Sequence, residues 1–387
     1  MRRSFLPIVL FILLPLHAQM RAYQLGFSFS KQDFCDTIDV EIKDGRIFVP
    51  VTIGGKTLSF LFDTGSSQGA LYNSVEGMQE LGNVVSNDAN GGKDTVRVVA
   101  LPHMMIGSLG VSNYVASILP RPEGRITCDG ILGFDIINKG LQCKIDTRHS
   151  RIILSDRKAT FSDEQGYEVK YLLKWFVPHV WISPFKRHQD EALFDTGSRL
   201  FYQMNKESFD RHVYKSKQVA RQVEGRSRGY LSIGHFGTER PDKVAFIAHE
   251  RIKWAGYRFV DVHTVTTQGG SRIGCQLLEY GSVTINPDRM RIKFLPYNTG
   301  DSVIVSNEQL QIAYVPLDGK PSVGLIWNKS RLYSDGFRQG DIILKINGRD
   351  VPSFRFFIDY PFASGEVYRY LVRGLDGKTH EIVSRHK

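Results

Sequence analysis

Two aspartates in the sequence stand inside the same five-residue string. Phe-Asp-Thr-Gly-Ser occupies residues 62–66 and occurs again at residues 194–198. An identical string of this length at two places in one chain is far beyond chance for average composition. The repetition therefore indicates a duplicated unit, with Asp63 and Asp195 at the same point of the two copies.

The chemistry of such a pair follows from the acidity of two carboxyl groups held together. If the two motifs face each other, Asp63 and Asp195 lie a few ångström apart. Like charges at that distance cannot both ionise, so the pair holds one proton over a range of pH. The ionised member can take a proton from a bound water while the protonated member polarises a carbonyl. This predicts peptide hydrolysis by an activated water, with no cofactor and no metal ion.

The other residues of each motif have predicted supporting roles. The glycine lets the backbone approach closely, the threonine hydroxyl can bond the neighbouring main chain, and the serine hydroxyl can bond the carboxylate. Neither serine is linked to a histidine by a motif, so a serine nucleophile is not predicted. The predicted supporting residues are Thr64, Gly65, Ser66, Thr196, Gly197 and Ser198.

Strands must position both motifs. Alternating runs at residues 47–53 and 58–62 surround the Gly54-Gly55 turn before the first copy. Apolar runs at residues 180–182 and 192–194, separated by a polar turn, precede the second copy. Each pattern is typical of a β-hairpin that leads into the Asp-Thr-Gly turn.

The similarity continues after each motif. Polar, Gly-containing runs at residues 87–92 and 224–229 are predicted as turns between strands. Each half then closes with a strand–turn–strand pattern, at residues 142–154 and 282–295. The sequence therefore predicts an all-β-dominated protein built from two copies of one unit.

These features resemble the aspartic proteases of the pepsin/retropepsin superfamily. The family's Asp-Thr-Gly-Ser motif is present twice, and residues 129–135 match its apolar-apolar-Gly element, which braces the first catalytic turn. The resemblance implies a bilobal, pepsin-like acid protease β-barrel fold, with Asp63 and Asp195 as the catalytic dyad and an extended peptide or protein as substrate. Because one chain carries both motifs, an active monomer is expected.

Two departures from the family pattern lead to different expectations. In residues 273–278, leucine stands where the second bracing glycine is expected, which predicts different packing beneath Asp195. The run at residues 87–101 contains no tyrosine, and Tyr72 lies too near the first motif, so the flap residue is left unassigned. The first departure motivates an alternative function, a non-catalytic peptide-binding protein that retains the fold.

The C-terminal part resembles a PDZ domain. Its Gly340-Asp341 turn opens the apolar run 342–346, and Asn347-Gly348 predicts a hairpin turn. The resemblance implies capture of a peptide's C-terminus or of a partner by strand addition, with backbone amides holding the carboxylate. Residues 320–327 and residues 307–312 are both candidates for the carboxylate-binding loop.

The N-terminal residues have the pattern of a secretory signal peptide. Arg2 and Arg3 precede an apolar run at residues 5–16, and Ala18 offers a cleavage point. The run is short and contains prolines, which favours cleavage over a membrane anchor. The expected location is the periplasm, the cell envelope or the extracellular space. The predicted domains are a signal peptide at 1–18, protease lobes at 19–158 and 159–298, and a PDZ domain at 305–387.

The composition excludes several classes of protein. With 42% hydrophobic and 23% charged residues, the chain is not expected to be disordered. Its net charge of +10 is spread without a block of like charges, so nucleic acid is not a predicted partner. No apolar run outside the N-terminus is long enough to span a membrane.

The cysteines leave two possibilities open. Their spacing fits no zinc-binding pattern. Cys128 and Cys143 flank a short segment and could close it with a disulfide, or the thiols could be free and buried. The chain has four cysteines, Cys35, Cys128, Cys143 and Cys275.

Overall fold

The computed structural model of the chain describes residues 26–88, 91–121 and 127–386. The predicted signal peptide, residues 1–18, lies outside this part. Strands dominate the described chain and form three large sheets and one small one. Among the described residues, no helix has the length and apolar character that crossing a bilayer requires.

The first half contains mostly strands. Its elements are β1 (Ser28–Phe29), β2 (Cys35–Asp39), β3 (Glu41–Lys43), β4 (Arg46–Ile53), β5 (Lys56–Asp63), β6 (Gly69–Leu71), β7 (Gln79–Asn87), β8 (Lys93–Ile106), β9 (Leu109–Ile118), β10 (Gly130–Gly133), α1 (Asp135–Asn138), β11 (Gln142–Asp146), a 3₁₀ helix (Thr147–His149) and β12 (Arg151–Ser155).

The second half repeats this order and adds two helices. Its elements are β13 (Tyr167–Lys174), β14 (Val177–Phe185), β15 (His188–Asp195), β16 (Tyr202–Asn205), α2 (Lys206–Lys215), α3 (Lys217–Ala220), β17 (Val223–Gly229), β18 (Ile233–Gly234), β19 (Gly237–Thr238), β20 (Asp242–Trp254), β21 (Tyr257–Thr267), β22 (Arg272–Gly274), a 3₁₀ helix (Cys275–Glu279), β23 (Gly281–Asn286) and β24 (Arg291–Pro296).

The remaining chain begins with a strand that pairs with β21 of the second half and then forms a six-stranded sheet with short helices. Its elements are β25 (Ser302–Ile304), β26 (Ile312–Leu317), β27 (Lys320–Ile326), α4 (Arg331–Asp335), β28 (Ile342–Ile346), β29 (Arg349–Asp350), α5 (Phe354–Ile358), β30 (Val367–Arg373) and β31 (Thr379–Arg385).

Both predicted hairpins that lead into the motifs are present. In the first, β4 pairs antiparallel with β5 around Gly54 and Gly55, which both have the positive φ that such a turn requires. In the second, β14 pairs antiparallel with β15. Each hairpin's second strand ends at a motif aspartate, Asp63 in β5 and Asp195 in β15.

The two halves share a continuous sheet beneath them. Strands β2, β11 and β12 come from the first half, and β13, β23 and β24 from the second. The halves join where β11 pairs antiparallel with β23, with Ile145 opposite Val283. A single hydrophobic core includes residues of both halves, so the two motifs are mounted on one support.

The predicted turn at residues 224–229 is wrong, because these residues lie in β17, which pairs with β20. Its glycines serve another purpose. A Cβ on Gly225 would lie 2.8 Å from Trp327 Nε1, and one on Gly229 would lie 2.1 Å from the Gly324 carbonyl oxygen. The glycines therefore mark the close approach of the C-terminal sheet, and strand pairing overrides their poor β-propensity.

The C-terminal sheet has its own core and packs against the second half. Its strand order is β26-β27-β28-β30-β31, and the predicted Asn347-Gly348 turn is present with positive φ at both residues. The rings of Phe246 and Trp327 stack with centroids 5.9 Å apart across the contact. In the first candidate for the carboxylate-binding loop, residues 320–327, all but the last residue form the paired strand β27.

The structure has the four cysteines as free thiols. Cys143 is fully buried in the core that the halves share, and Cys128 lies in a smaller cluster with Tyr72 and Ile131. The disulfide between Cys128 and Cys143 is therefore not formed, and the alternative of buried thiols holds for both.

Candidate active site

The two motif aspartates lie side by side where β5 and β15 end. The carboxyl groups of Asp63 and Asp195 are in hydrogen-bonding contact. The N–H of Gly65 donates to Asp63 Oδ1 at 2.8 Å, and the N–H of Gly197 donates to Asp195 Oδ1 at 3.0 Å. Matching turns thus hold two carboxyl groups in one place, as the duplicated motif predicted.

The two threonines cross-link the turns. The N–H of Thr64 donates to Thr196 Oγ1 at 3.0 Å, and the N–H of Thr196 donates to Thr64 Oγ1 at 3.0 Å. Each hydroxyl in turn donates to the opposite strand, Thr64 to the Phe194 carbonyl and Thr196 to the Phe62 carbonyl. Both side chains are buried, so this reciprocal network fixes the distance between the halves where the carboxyl groups meet.

The two glycines make room for the opposite carboxyl group. A Cβ on Gly65 would lie 2.6 Å from Asp195 Oδ1, and one on Gly197 would lie 2.5 Å from Asp63 Cγ. These distances are below van der Waals contact. Any side chain here would push the two carboxyl groups apart.

The two serines contact their turns in different ways. The Ser66 hydroxyl donates to the Gln68 carbonyl at 2.7 Å, so it does not donate to Asp63. The N–H of Ser198 donates to Asp195 Oδ1 at 3.1 Å. The expectation that serine hydroxyls bond the carboxylates is wrong for Ser66, because its own turn offers a closer acceptor.

Both turns are braced from beneath by a glycine. Strand β10 runs parallel to β5 with Gly133 opposite Asp63, and β22 runs parallel to β15 with Gly274 opposite Asp195. A Cβ on Gly274 would lie 2.4 Å from the Ser198 carbonyl oxygen, so only glycine fits. The predicted replacement of this glycine by leucine is therefore wrong.

Leu277 and Leu278 belong to the next element. They lie in the 3₁₀ helix Cys275–Glu279, which follows β22 as α1 follows β10. Both are buried, as are Ile136 and Ile137 of α1. The sequence pattern does not reveal Gly274, because Arg272 replaces the first apolar residue of the apolar-apolar-Gly element.

Charged groups around the aspartates differ between the two halves. The Arg272 Nη1 atom lies 4.0 Å from Asp195 Oδ2, and Arg46 Nε donates to the Gly197 carbonyl at 3.0 Å. Burial, and then the nearby Asp195, raise the pKa of Asp63 to about 7. The arrangement favours a proton on Asp63. No motif in the sequence pointed to either arginine.

The hairpin of β7 and β8 contacts the second half. At the end of β7, Asp88 Oδ2 accepts the N–H of Phe236, which belongs to the second half, at 3.0 Å. Tyr72 lies near Asp63, with its ring centroid 6.0 Å from that of His235 in the second half. Tyr72 is therefore a buried neighbour of Asp63, and the flap residue stays unassigned.

Comparisons with known proteins agree with the geometry of the first half. A family model described as aspartyl protease matches residues 49–136, less than a quarter of the chain. This stretch contains Asp63 and its bracing Gly133. The match supports an aspartic protease fold and a protease function with a peptide as substrate. A search of curated proteins found no match.

A comparison with solved structures finds a similar chain. It is the crystal structure of an aspartic proteinase from Irpex lacteus, with 13% sequence identity and a TM-score of 0.46. The similarity covers 70% of this chain and 100% of that one.

Replacing Thr196 with valine should destabilise the protein by about 2–4 kcal/mol, because the buried N–H of Thr64 and the carbonyl of Phe62 would both lose a partner. Serine at the same position keeps the hydroxyl and should cost less than about 1.5 kcal/mol. Urea unfolding of both variants measures the difference. Equal losses in the two variants would contradict the role of the hydroxyl.

Proposed function

We propose that this protein is an aspartic endopeptidase in which Asp63 and Asp195 activate a water to hydrolyse peptide bonds. The observation that carries the proposal is the hydrogen-bonded contact between the two carboxyl groups at the ends of β5 and β15. The matching turns, the threonine network and the aspartyl protease family match support it.

The charges around the pair support a division of roles. Asp195, beside Arg272, takes a proton from the bound water, and the water oxygen attacks the peptide carbonyl carbon. Asp63 donates its proton to the carbonyl oxygen, which gives a neutral tetrahedral diol. The proton on Asp195 then passes to the amide nitrogen as the C–N bond breaks, and Asp63 recovers a proton from the diol. Both carboxyl groups finish as they began.

The alternative of a non-catalytic peptide-binding protein rested on the missing second glycine. Gly274 stands opposite Asp195, so that reason no longer applies. The peptidase is therefore the function that we put forward.

Replacing Asp63 or Asp195 with asparagine should lower kcat/KM for peptides by at least about a thousandfold, since each variant lacks one of the two proton-transfer groups. Asparagine keeps the size of the side chain, so the fold should survive. The measurement is cleavage of unstructured peptides, followed by mass spectrometry. Most of the activity remaining in both single variants would contradict the proposal.

The pH dependence follows from Asp63. Its pKa of about 7 lies above the usual value, so the proton that the mechanism needs is present below pH 7 and is lost above it. We expect kcat/KM to fall about tenfold per pH unit above roughly pH 7. The test uses a peptide without ionisable side chains between pH 4 and 9, with circular dichroism as a check on folding. A fall centred near pH 4 would disagree.

Export and partner binding complete the proposed function. The pattern of residues 1–18 supports secretion, with a mature protein in the periplasm, the cell envelope or the extracellular space.

The C-terminal sheet is proposed as a PDZ domain that captures a peptide's C-terminus or a partner. Strand β26 is at the edge of that sheet, and Tyr314 on it contacts Phe357 on α5 with ring centroids 4.7 Å apart. A peptide could add to this edge.

The segment before β26 is the remaining candidate for the carboxylate-binding loop. Asn307 Oδ1 accepts the N–H of His263 at 2.8 Å, and Gln309 Nε2 donates to Glu224 at 2.8 Å. The loop is thus held against the second half of the protein. A peptide captured there would lie beside the protease lobe.

Peptides with a free C-terminal carboxylate should bind the full protein more tightly than the same peptides with a C-terminal amide, by roughly tenfold or more, because charged hydrogen bonds are the stronger ones. A fluorescent hexapeptide pool with apolar last residues is the probe, and the Asp63→Asn variant prevents cleavage. Fluorescence anisotropy gives the affinities. Equal affinity for acid and amide would argue against carboxylate capture.

A further inference from the structure

A hairpin of the first half places an arginine beside the turn of residues 195–198. Strands β3 and β4 pair antiparallel, with Lys43 opposite Arg46. Asp44 and Gly45 between them both have positive φ, as a tight two-residue hairpin turn requires. Arg46 is therefore the first residue of β4, at a position that this short turn fixes.

The tip of the hairpin packs on the support of Asp195. A Cβ on Gly45 would lie 3.6 Å from Sγ of Cys275, which is buried. Cys275 directly follows Gly274, the glycine that braces the second turn. The hairpin of the first half is thus seated against the second half at the point from which Arg46 reaches the turn.

Arg46 bonds the peptide group that holds Asp195. Its Nε donates to the Gly197 carbonyl at 3.0 Å. The same peptide group carries the N–H of Ser198, which donates to Asp195 Oδ1 at 3.1 Å. Because a peptide group is planar and its C=O and N–H point in opposite directions, a donor that fixes the carbonyl also fixes the direction of the N–H.

The bond from Arg46 also strengthens the next one. A guanidinium is a charged donor, and charge-assisted hydrogen bonds are stronger than neutral ones. Hydrogen bonds in a chain polarise one another, most of all away from bulk water, and this bond is partly buried. Arg46 therefore makes the Ser198 N–H a better donor to the carboxyl group of Asp195.

The matching position in the second half is apolar. Arg46 lies opposite Lys43 in the first hairpin, and Val177 lies opposite Lys174 in the second, each pair next to a two-residue turn. The duplication therefore matches Arg46 with Val177, whose side chain is buried and has no donor. The arginine is thus an addition to the support that the two turns share.

We propose that Arg46 is a positioning residue for the peptidase, which holds the peptide group between Gly197 and Ser198 so that the Ser198 N–H stays directed at Asp195. It acts through that peptide group and needs no contact with the substrate. With the N–H in place, the Asp195 carboxyl group keeps the orientation in which it takes the proton of the water. This inference rests on the proposed peptidase function.

Kinetics of matched variants test the role of Arg46. Arg46→Met keeps the length of the side chain without its donors. It should lower kcat by at least about tenfold with KM within about twofold of wild type, since the turn and not the substrate loses a bond. Arg46→Lys keeps a charged donor and should recover most of kcat. Lys43→Met removes a half-exposed positive charge from the same hairpin and should leave both constants unchanged.

Hydrogen exchange reports on the turn itself and needs no activity. Exchange followed by mass spectrometry compares residues 195–200 with the equivalent residues 63–68. In Arg46→Met, the first of these segments should exchange at least about tenfold faster, because its peptide group has lost the bond that holds it. The equivalent segment should exchange at the rate of wild type, so the duplicated fold supplies the control.

The outcomes separate the positioning role from the peptidase. An unchanged kcat in Arg46→Met overturns the role, as does a loss that Arg46→Lys does not recover. Exchange that rises equally in both segments shows general destabilisation and overturns it too. If wild type cuts no peptide, the peptidase itself fails, and exchange alone decides: an unchanged rate at residues 195–200 then overturns the hold of Arg46 on the turn.

Discussion

Two carboxyl groups in hydrogen-bonding contact within a partly buried cleft repel each other as soon as both ionise, and the rest of the structure depends on holding them there. Asp63 and Asp195 would separate if their turns could move. Three constraints prevent this: the reciprocal bonds of Thr64 and Thr196, the bracing glycines beneath each turn, and the sheet that both halves share. The contacts that hold the two carboxyl groups together thus lie throughout both halves of the protein. The aspartates themselves contribute little to keeping the pair in place.

The backbone keeps the symmetry of the duplication more closely than the side chains do. Turns, bracing strands and hairpins repeat in both halves, because each of the two aspartates is positioned by its own set of these elements. Charge does not repeat, since Arg272 replaces the apolar Ile131 and Arg46 bonds only the second turn. A duplicated support therefore carries a site with two distinct sides.

Much of the support could be predicted from the sequence, because its signals are local. Alternating apolar residues around Gly54-Gly55 specify a hairpin, and the repeated motif specifies that Asp63 and Asp195 meet. The errors came from long-range contacts. Gly225 and Gly229 resembled turn residues, yet they are glycines because the C-terminal sheet approaches them. Gly274 was missed since its role is defined by the strand beside it, and Arg272 hid the pattern. A guanidinium beside a carboxylate depends on register between distant strands, which no single stretch of sequence encodes.

The pairing of β11 with β23 has a consequence for how such a chain could arise. Cys143 lies opposite Ile285, Lys144 opposite Thr284 and Ile145 opposite Val283, and the repeat matches Lys144 with Thr284. The strand of one half therefore pairs antiparallel with the equivalent strand of the other half, and equivalent residues lie opposite each other. Two identical molecules related by a twofold axis would pair in the same way. A half expressed alone would expose this strand edge and tend to pair with a second copy of itself. The join between the lobes has the geometry of an ancestral homodimer interface, now enclosed within one polypeptide, where each side is free to acquire its own mutations.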